Sequence, residues 1–167
     1  MIGVITSYDL DEVTLVGHSY GGRVITQVAS TIPDRVASMV FIDAHVPIAP
    51  DSGIPQEWTE AAADTGLFPM LGYGIPAELV GGSEGIDWIN ARLAPQSLAS
   101  FTEPWQTDLP DAAAKTFVHA TKNTPNRFSH YAKAAKARPD WAYHGLDGHH
   151  YLMFSHPKDL AEIVLSA

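Results

Sequence analysis

The chain has 167 residues, of which 46% are hydrophobic and 17% are charged, and its formal net charge at pH 7 is −9. This composition supports one domain with a sizeable buried core, and the few scattered basic residues exclude an electrostatic footprint for nucleic-acid binding. The chain contains no Cys, which excludes disulfides, a Cys nucleophile and thiolate metal sites.

The first ten residues are predicted to be the end of a helix, with Ile2, Ile5 and Leu10 facing inward. They lack the basic region and the long apolar core of a signal peptide. No later stretch is long and apolar enough to suggest a membrane span. We therefore expect a cytoplasmic location and no membrane partner.

A strand, a sharp turn and a helix are predicted next. Residues 13–16 form an apolar run of strand length, and apolar residues recur at helical spacing over 20–31. Between them lies Gly17-His18-Ser19-Tyr20-Gly21, which fits G-x-S-x-G, a motif that holds a nucleophilic Ser on a strained turn. The positions two before and two after the Ser are expected to be small because backbone passes close to both. The alternative is a Gly-rich turn with an incidental Ser.

Strands and helices alternate through the rest of the chain. Residues 51–110, rich in Pro and Trp, are predicted to be an insertion of short helices that could cover a site, since the segment is too long for a plain loop. The other predicted elements are strands at 36–42, 115–120 and 141–144, helices at 126–136 and 157–165, and a loop at 146–150.

This alternation predicts an α/β fold with a mostly parallel sheet of about four strands and helices on both faces. The core is expected to comprise 1–50 and 111–167, and the insertion 51–110. Polar residues follow four strand ends, namely Ser19, Asp43, Asn123 and His150. Because ligands of such sheets bind at the carboxyl ends of the strands, we expect these residues to share one rim.

Several segments together resemble the α/β-hydrolase superfamily, and within it the small methyl esterase and hydroxynitrile lyase group. The segments are Leu15–Gly22, Val40–Pro47, Asp87–Ala99 and Phe101–Pro104, and His150–Met153 with Pro157. The resemblance covers nearly the whole chain. It implies an α/β-hydrolase fold in which the insertion is a cap.

The resemblance also implies roles for individual residues. Ser19 is the nucleophile and His150 the general base, in the chain order that the superfamily uses. His149 is the rival base, but the family's H-x-x-M, with a Pro seven residues after the His, selects His150. The backbone N–H of Tyr20 is expected to contribute to the oxyanion hole. No cofactor is implied, and a metal site is not expected, because no His pair has helical ligand spacing with a third ligand at hand.

The acid of the triad departs from the family pattern. The position that matches the family's acid is Asn123, whose amide can orient an imidazole but supplies no negative charge. Asp43 lies after the strand before the insertion, where some hydrolases of this fold place their acid. Asp43 therefore either completes the triad or is a buried structural carboxylate. Asp147 is a weaker candidate.

The family has further strands before the segment that begins here, so we expect a truncated form of the fold. One of the missing loops donates half of the oxyanion hole. Strand 13–16 would then have no partner on one side, and nothing in it blunts an edge. We expect two copies to pair antiparallel along Val13–Val16 as a homodimer. The alternatives are a separate polypeptide that supplies the missing segment, or a gene fragment.

The leading hypothesis is a carboxylesterase that hydrolyses a small ester through an acyl-enzyme on Ser19. His18, Trp88, Phe101 and Trp105 are candidate pocket residues, and their character suggests an apolar or aromatic substrate. The wider apolar set, which could equally be cap core, adds Trp58, Leu67, Phe68, Met70, Leu71 and Tyr73. A hydroxynitrile lyase fits less well, because that branch carries a Lys where this chain has Tyr151. The other alternative is a degenerate hydrolase that binds a ligand or a partner without turnover.

Overall fold

The computed structural model describes residues 1–51, 53–68, 75–105, 107–124 and 126–167. The chain divides into two compact units. The first consists of Met1–Asp51 and Trp105–Ala167, and the second is Ser52–Pro104. The second unit falls within the segment where the sequence predicts an insertion, and its role as a cap stays a prediction.

The helices and strands alternate along the first unit, and short elements make up the second. In chain order they are α1 Ile2–Ser7, β1 Val13–His18, α2 Gly21–Thr31, a 3-10 helix Pro33–Arg35, β2 Val36–Ile42, α3 Gln56–Ala61, β3 Leu67–Phe68, a 3-10 helix Ala77–Val80, α4 Ser83–Asn90, β4 Gln96–Ser97, α5 Ala99–Thr102, β5 Ala114–Ala120, α6 Ser129–Lys136, β6 Ala142–Leu146, α7 Leu152–Ser155 and α8 Pro157–Leu165. None of the helices in the described ranges is long and apolar enough to cross a membrane.

The first unit is built on a parallel sheet with strand order β1-β2-β5-β6. This is the sheet that the alternation of strands and helices predicts. Parallel strands need a crossover between them, and the crossover helices bury both faces of the sheet. All four strands therefore point their carboxyl ends toward the same rim.

Side chains of β2 alternate between two buried clusters. Met39 and Phe41 pack on one face, in a cluster with side chains of α2 and α6. Val40 and Ile42 pack on the other face, in a cluster with side chains of α7 and α8. A strand that is apolar at consecutive positions is thus buried on both sides, as a central parallel strand must be.

The second unit contains an aromatic cluster. Trp58 stacks on Phe68 with ring centroids 4.8 Å apart, and Phe101 meets the Trp58 ring edge-on at 5.4 Å. Trp88 is 60% exposed and has the Arg92 guanidinium 3.9 Å from its ring centroid. Of the wider apolar set, Met70, Leu71 and Tyr73 lie outside the described residues.

The sequence predicts that backbone passes close to Gly17 and Gly21. The structure has such a close approach at Gly17 but not at Gly21. A Cβ on Gly17 would lie 2.6 Å from the Gly21 carbonyl oxygen, as the motif predicts. A Cβ on Gly21 would meet nothing within 4 Å, so the prediction that Gly21 must be small is wrong. The close approach lies one residue later, where a Cβ on Gly22 would be 2.0 Å from the His45 carbonyl oxygen. Helix α2 turns this position toward the chain that follows β2.

We predict that Gly22→Ala lowers the free energy of unfolding by at least about 2 kcal/mol, because main chain cannot yield as a flexible side chain does. Gly21→Ala is the matched control, and it should change stability by less than about 1 kcal/mol because its methyl group has open space. Denaturant melts of both variants measure the difference. Equal losses would contradict the close approach at Gly22.

Strand β1 lies at an end of the sheet and pairs only with β2 in the described part of the chain. Several large apolar side chains in or close to β1 in the sequence are exposed, namely Met1, Val4, Tyr8, Leu10, Val16 and Val24. The prediction that Leu10 faces inward is wrong, since α1 ends at Ser7 and Leu10 is 42% exposed. An apolar edge with free backbone groups favours pairing with another strand.

We therefore expect this chain to form dimers through the β1 edge, and multi-angle light scattering at micromolar concentration should give twice the chain mass. Val16→Lys places a charge on that edge and should shift the mass toward the monomer. Ala161→Lys, on the exposed side of α8 and away from β1 in the sequence, is the control for added charge. A monomeric wild-type chain would contradict the pairing.

Candidate active site

Ser19 occupies a strained turn between β1 and α2. Its φ is 56°, in the left-handed region that residues other than Gly rarely adopt. The surrounding backbone holds this turn, because Ser19 N–H donates to the Ile42 carbonyl at 3.2 Å. The Ser19 carbonyl in turn accepts from the N–H groups of Gly22 at 3.2 Å and His45 at 3.1 Å. The predicted elbow geometry is therefore present at Ser19.

Asp43 occupies the equivalent place at the end of the neighbouring strand. In the β1–β2 register His18 pairs with Ile42, so Ser19 and Asp43 are each one residue past the same rung. Asp43 also has a positive φ, 41°, and its side chain is fully buried. Its N–H donates to the Val118 carbonyl at 2.7 Å, which continues the pairing toward β5.

The His150 imidazole binds Asp43. His150 Nδ1 lies 2.7 Å from Asp43 Oδ2, and because a carboxylate only accepts, Nδ1 carries the proton. The lone pair of the neutral ring is then on Nε2, the atom that a general base uses in a Ser triad. Asn123 Nδ2 donates to the same Oδ2, also at 2.7 Å. The structure thus joins His150 to Asp43, and Asn123 to Asp43.

Aromatic rings fix the orientation of the His150 imidazole. The Phe128 ring is stacked on it, with centroids 5.0 Å apart and planes within 1°. The rings of His18 and Tyr151 lie 4.4 Å and 5.3 Å from it. Sequence analysis missed Phe128, and no motif could have found it, because it lies in a different loop from His150 and stacking has no sequence spacing.

His18 links the elbow to the loop of His150. His18 Nε2 donates to the His150 carbonyl oxygen at 2.9 Å, since a carbonyl can only accept. Burial, together with the charge of a neighbouring His150, lowers the pKa of His18 to about 4. His18 is therefore neutral at ordinary assay pH and acts as a fixed donor.

His18, which directly precedes Ser19 in the chain, contacts the His150 ring and its carbonyl oxygen. Within the described ranges, no hydrogen bond joins the Ser19 hydroxyl to His150. Catalytic hydrogen bonds are often long in unliganded enzymes and tighten in the complex. The meeting of these two groups during a reaction stays a prediction.

An ion pair between a buried Arg and an exposed Asp lies where the chain leaves the first unit, at Asp51. Arg23 of α2, 7% exposed, binds the carboxylate of Asp51. Its guanidinium carbon is 5.0 Å from the ring centroid of Trp105, a predicted pocket residue. Burial alone would raise the pKa of Asp51, but the contacts with His45 and Arg23 outweigh it and hold that pKa well below its usual range. Sequence analysis missed this pair.

The remaining predicted site residues have simpler positions. Tyr20 directly follows Ser19 and is the N-cap of α2, with helical φ and ψ. Trp88 and Phe101 belong to the second unit, and their role as pocket residues stays a prediction. Across the described residues, no three His, Asp or Glu side chains are grouped so that they could hold a metal ion.

Comparison with known sequences finds one matching family and one similar esterase. A model described as "Alpha/beta hydrolase family" matches residues 2–163. A carbendazim hydrolyzing esterase from Nocardioides sp. (strain SG-4G) is 34% identical over 178 residues, a match that covers 97% of this chain and 74% of the relative.

Solved structures show the same fold. An extracellular alpha/beta-hydrolase from a Paenibacillus species has a TM-score of 0.67 at 20% identity, covering 99% of this chain and 76% of its own. A pyrethroid hydrolase from Sphingobium faniae JZ-2 has a TM-score of 0.61 at 20% identity, covering 98% of this chain and 75% of its own. At such identities the likeness establishes the fold alone.

The resemblance that the sequence motifs carry is confirmed by the family match over nearly the whole chain, by the 34% identical esterase and by the fold. This chain belongs to the alpha/beta hydrolase family.

Proposed function

We propose that this protein is a serine carboxylesterase that acts through an acyl-enzyme on Ser19. The observation that carries the proposal is the 2.7 Å hydrogen bond between His150 Nδ1 and the buried carboxylate of Asp43. This bond sets the tautomer in which Nε2 can accept a proton, and it stabilises the imidazolium that then forms.

The proposed reaction has two halves. Ser19 Oγ attacks the ester carbonyl carbon while its proton passes to His150 Nε2, and the alcohol leaves with that proton. Water then attacks the acyl-enzyme, gives a proton to the same nitrogen, and the acid leaves as Ser19 Oγ regains its proton. Asp43 stays ionised throughout.

The oxyanion of each tetrahedral intermediate is proposed to face the N–H of Tyr20. Two features support this assignment. Tyr20 directly follows the nucleophile, and it begins α2, an 11-residue helix whose N-terminus favours negative charge.

An ester with a small apolar or aromatic group is the proposed substrate class. Support comes from the 34% identical relative, which is named as a carbendazim hydrolyzing esterase. The candidate pocket residues Trp88, Phe101 and Trp105 agree with an apolar group. Tyr151, in place of the lyase branch's Lys, favours an esterase over a hydroxynitrile lyase.

Ser19→Ala is expected to lower kcat/KM for p-nitrophenyl acetate by about 10³-fold or more, because the nucleophile is lost. Release of nitrophenol measures turnover, and mass spectrometry after treatment with a fluorophosphonate should locate an adduct on Ser19. Ser7→Ala, on exposed α1, is the matched control. Equal turnover by wild type and Ser19→Ala, without an adduct, would instead support a protein that binds a ligand or partner without catalysis.

His18→Gln is expected to change how stability depends on pH. The His18 pKa is about 4 in the folded chain, against an ordinary value of 6.5. Between these values the unfolded chain binds the extra proton, so the free energy of unfolding falls as pH drops from about 6.5 to about 4, by about 3 kcal/mol in all. Gln keeps a donor for the His150 carbonyl but does not titrate. The decrease of about 3 kcal/mol in the free energy of unfolding should therefore be absent in His18→Gln.

Denaturant melts at several pH values measure this difference between wild type and His18→Gln. Groups that do not interact with His18 contribute equally to both proteins and cancel in the difference. Parallel stability curves would mean that His18 is not held neutral.

A further inference from the structure

One buried carboxylate oxygen accepts two side-chain donors. Asp43 Oδ2 lies 2.7 Å from His150 Nδ1 and 2.7 Å from Asn123 Nδ2. The other oxygen, Oδ1, has the Ala120 N–H at 3.4 Å. Asp43 is fully buried, so these donors take the place of water around its charge.

The loop after β5 holds Asn123 in place. The backbone N–H of Asn123 donates to the Ala120 carbonyl at 3.2 Å, and this bond closes a tight turn at the end of β5. Asn126 braces the same turn, since its Nδ2 donates to Ala120 O at 2.9 Å and its Oδ1 accepts from Phe128 N–H at 2.8 Å. Phe128 in turn stacks on His150. One loop therefore supports both the imidazole and the donor to its acid.

A carboxylate at position 123 would make the contact between positions 123 and 43 repulsive. An Asp side chain has no proton to donate when ionised, and it would place a second negative charge against Asp43 in a buried site, which is strongly unfavourable. The amide of Asn123 therefore matches the carboxylate of Asp43, and together the two positions carry one negative charge.

We propose that positions 43 and 123 form an exchangeable pair, one carboxylate and one amide, in which Asn123 is the positioning residue that fixes the carboxylate used by His150. This inference rests on the proposed function for its kinetic test, but its geometry is independent of any substrate.

Exchange is possible because both side chains meet at one place. Asn123 Nδ2 and His150 Nδ1 both bind Asp43 Oδ2. A carboxylate at position 123 would therefore lie close to His150 Nδ1. Asp43 has a φ of 41°, where Asn is tolerated as well as Asp, so D43N adds no backbone strain. Both replacements are isosteric.

The experiment compares wild type, D43N, N123L and the double variant D43N/N123D. D43N should lose about 10³–10⁴-fold in kcat/KM for p-nitrophenyl acetate, because the imidazolium loses its counter-charge. The double variant should recover at least tenfold over D43N. N123L removes the donor alone, and it should lower kcat about tenfold with KM nearly unchanged, as expected for an interaction used in the transition state.

Proton NMR supplies a readout that does not depend on activity. The low-field resonance of the His150 Nδ1–H, hydrogen-bonded to a carboxylate, should be present in wild type, absent in D43N and restored in D43N/N123D. Circular dichroism melts establish that each variant is folded before it is compared.

A double variant that is no more active than D43N and lacks the low-field resonance would overturn the exchange. The same conclusion follows if the double variant fails to fold while D43N folds. Failure of the proposed function looks different, because wild-type turnover would then be no greater than that of Ser19→Ala, while the NMR comparison would still report on the pair.

Discussion

The hydrogen bond between the Asp43 carboxylate and the His150 imidazole is the interaction on which the candidate site depends. A fully buried carboxylate is tolerated only when donors replace its water, and here the donors come from the last residue of β5 and from the turns after β5 and β6. Satisfying this charge therefore fixes three turns relative to one another. The His150 imidazole, the Asp43 carboxylate and the Asn123 amide are assembled as one unit at the rim of the sheet.

The parallel sheet places Asp43 of this unit beside Ser19, at the ends of two neighbouring strands. Strands β1 and β2 are in register up to His18 and Ile42, and each is followed by a residue with positive φ, Ser19 and Asp43. Strained backbone of this kind persists only where its surroundings enforce it. The enforcement comes from pairing that extends one residue past each strand, through Ser19 N–H to Ile42 and Asp43 N–H to Val118.

The strands and the rim could be predicted from sequence because buried parallel strands are continuous apolar runs and the elbow has a fixed spacing. The resemblance to the family named Asp43 and Asn123 as alternative acids. It could not show that they bind each other, because their side chains are 80 residues apart and contact is set by two turns. It also assigned the close approach to Gly21 rather than Gly22, since the obstructing His45 carbonyl belongs to a segment after another strand.

Two imidazoles lie side by side in this site, with ring centroids 4.4 Å apart, and only one of them can usefully become charged. Burial and the neighbouring ring lower the pKa of His18 to about 4, so His18 stays neutral and holds the His150 main chain through its Nε2–H. The ring of His150 is the one that binds the carboxylate of Asp43 through Nδ1. A positive charge formed by proton transfer from Ser19 would therefore be confined to the ring that has a counter-ion, and the neutral ring would keep that ring in place without repelling it.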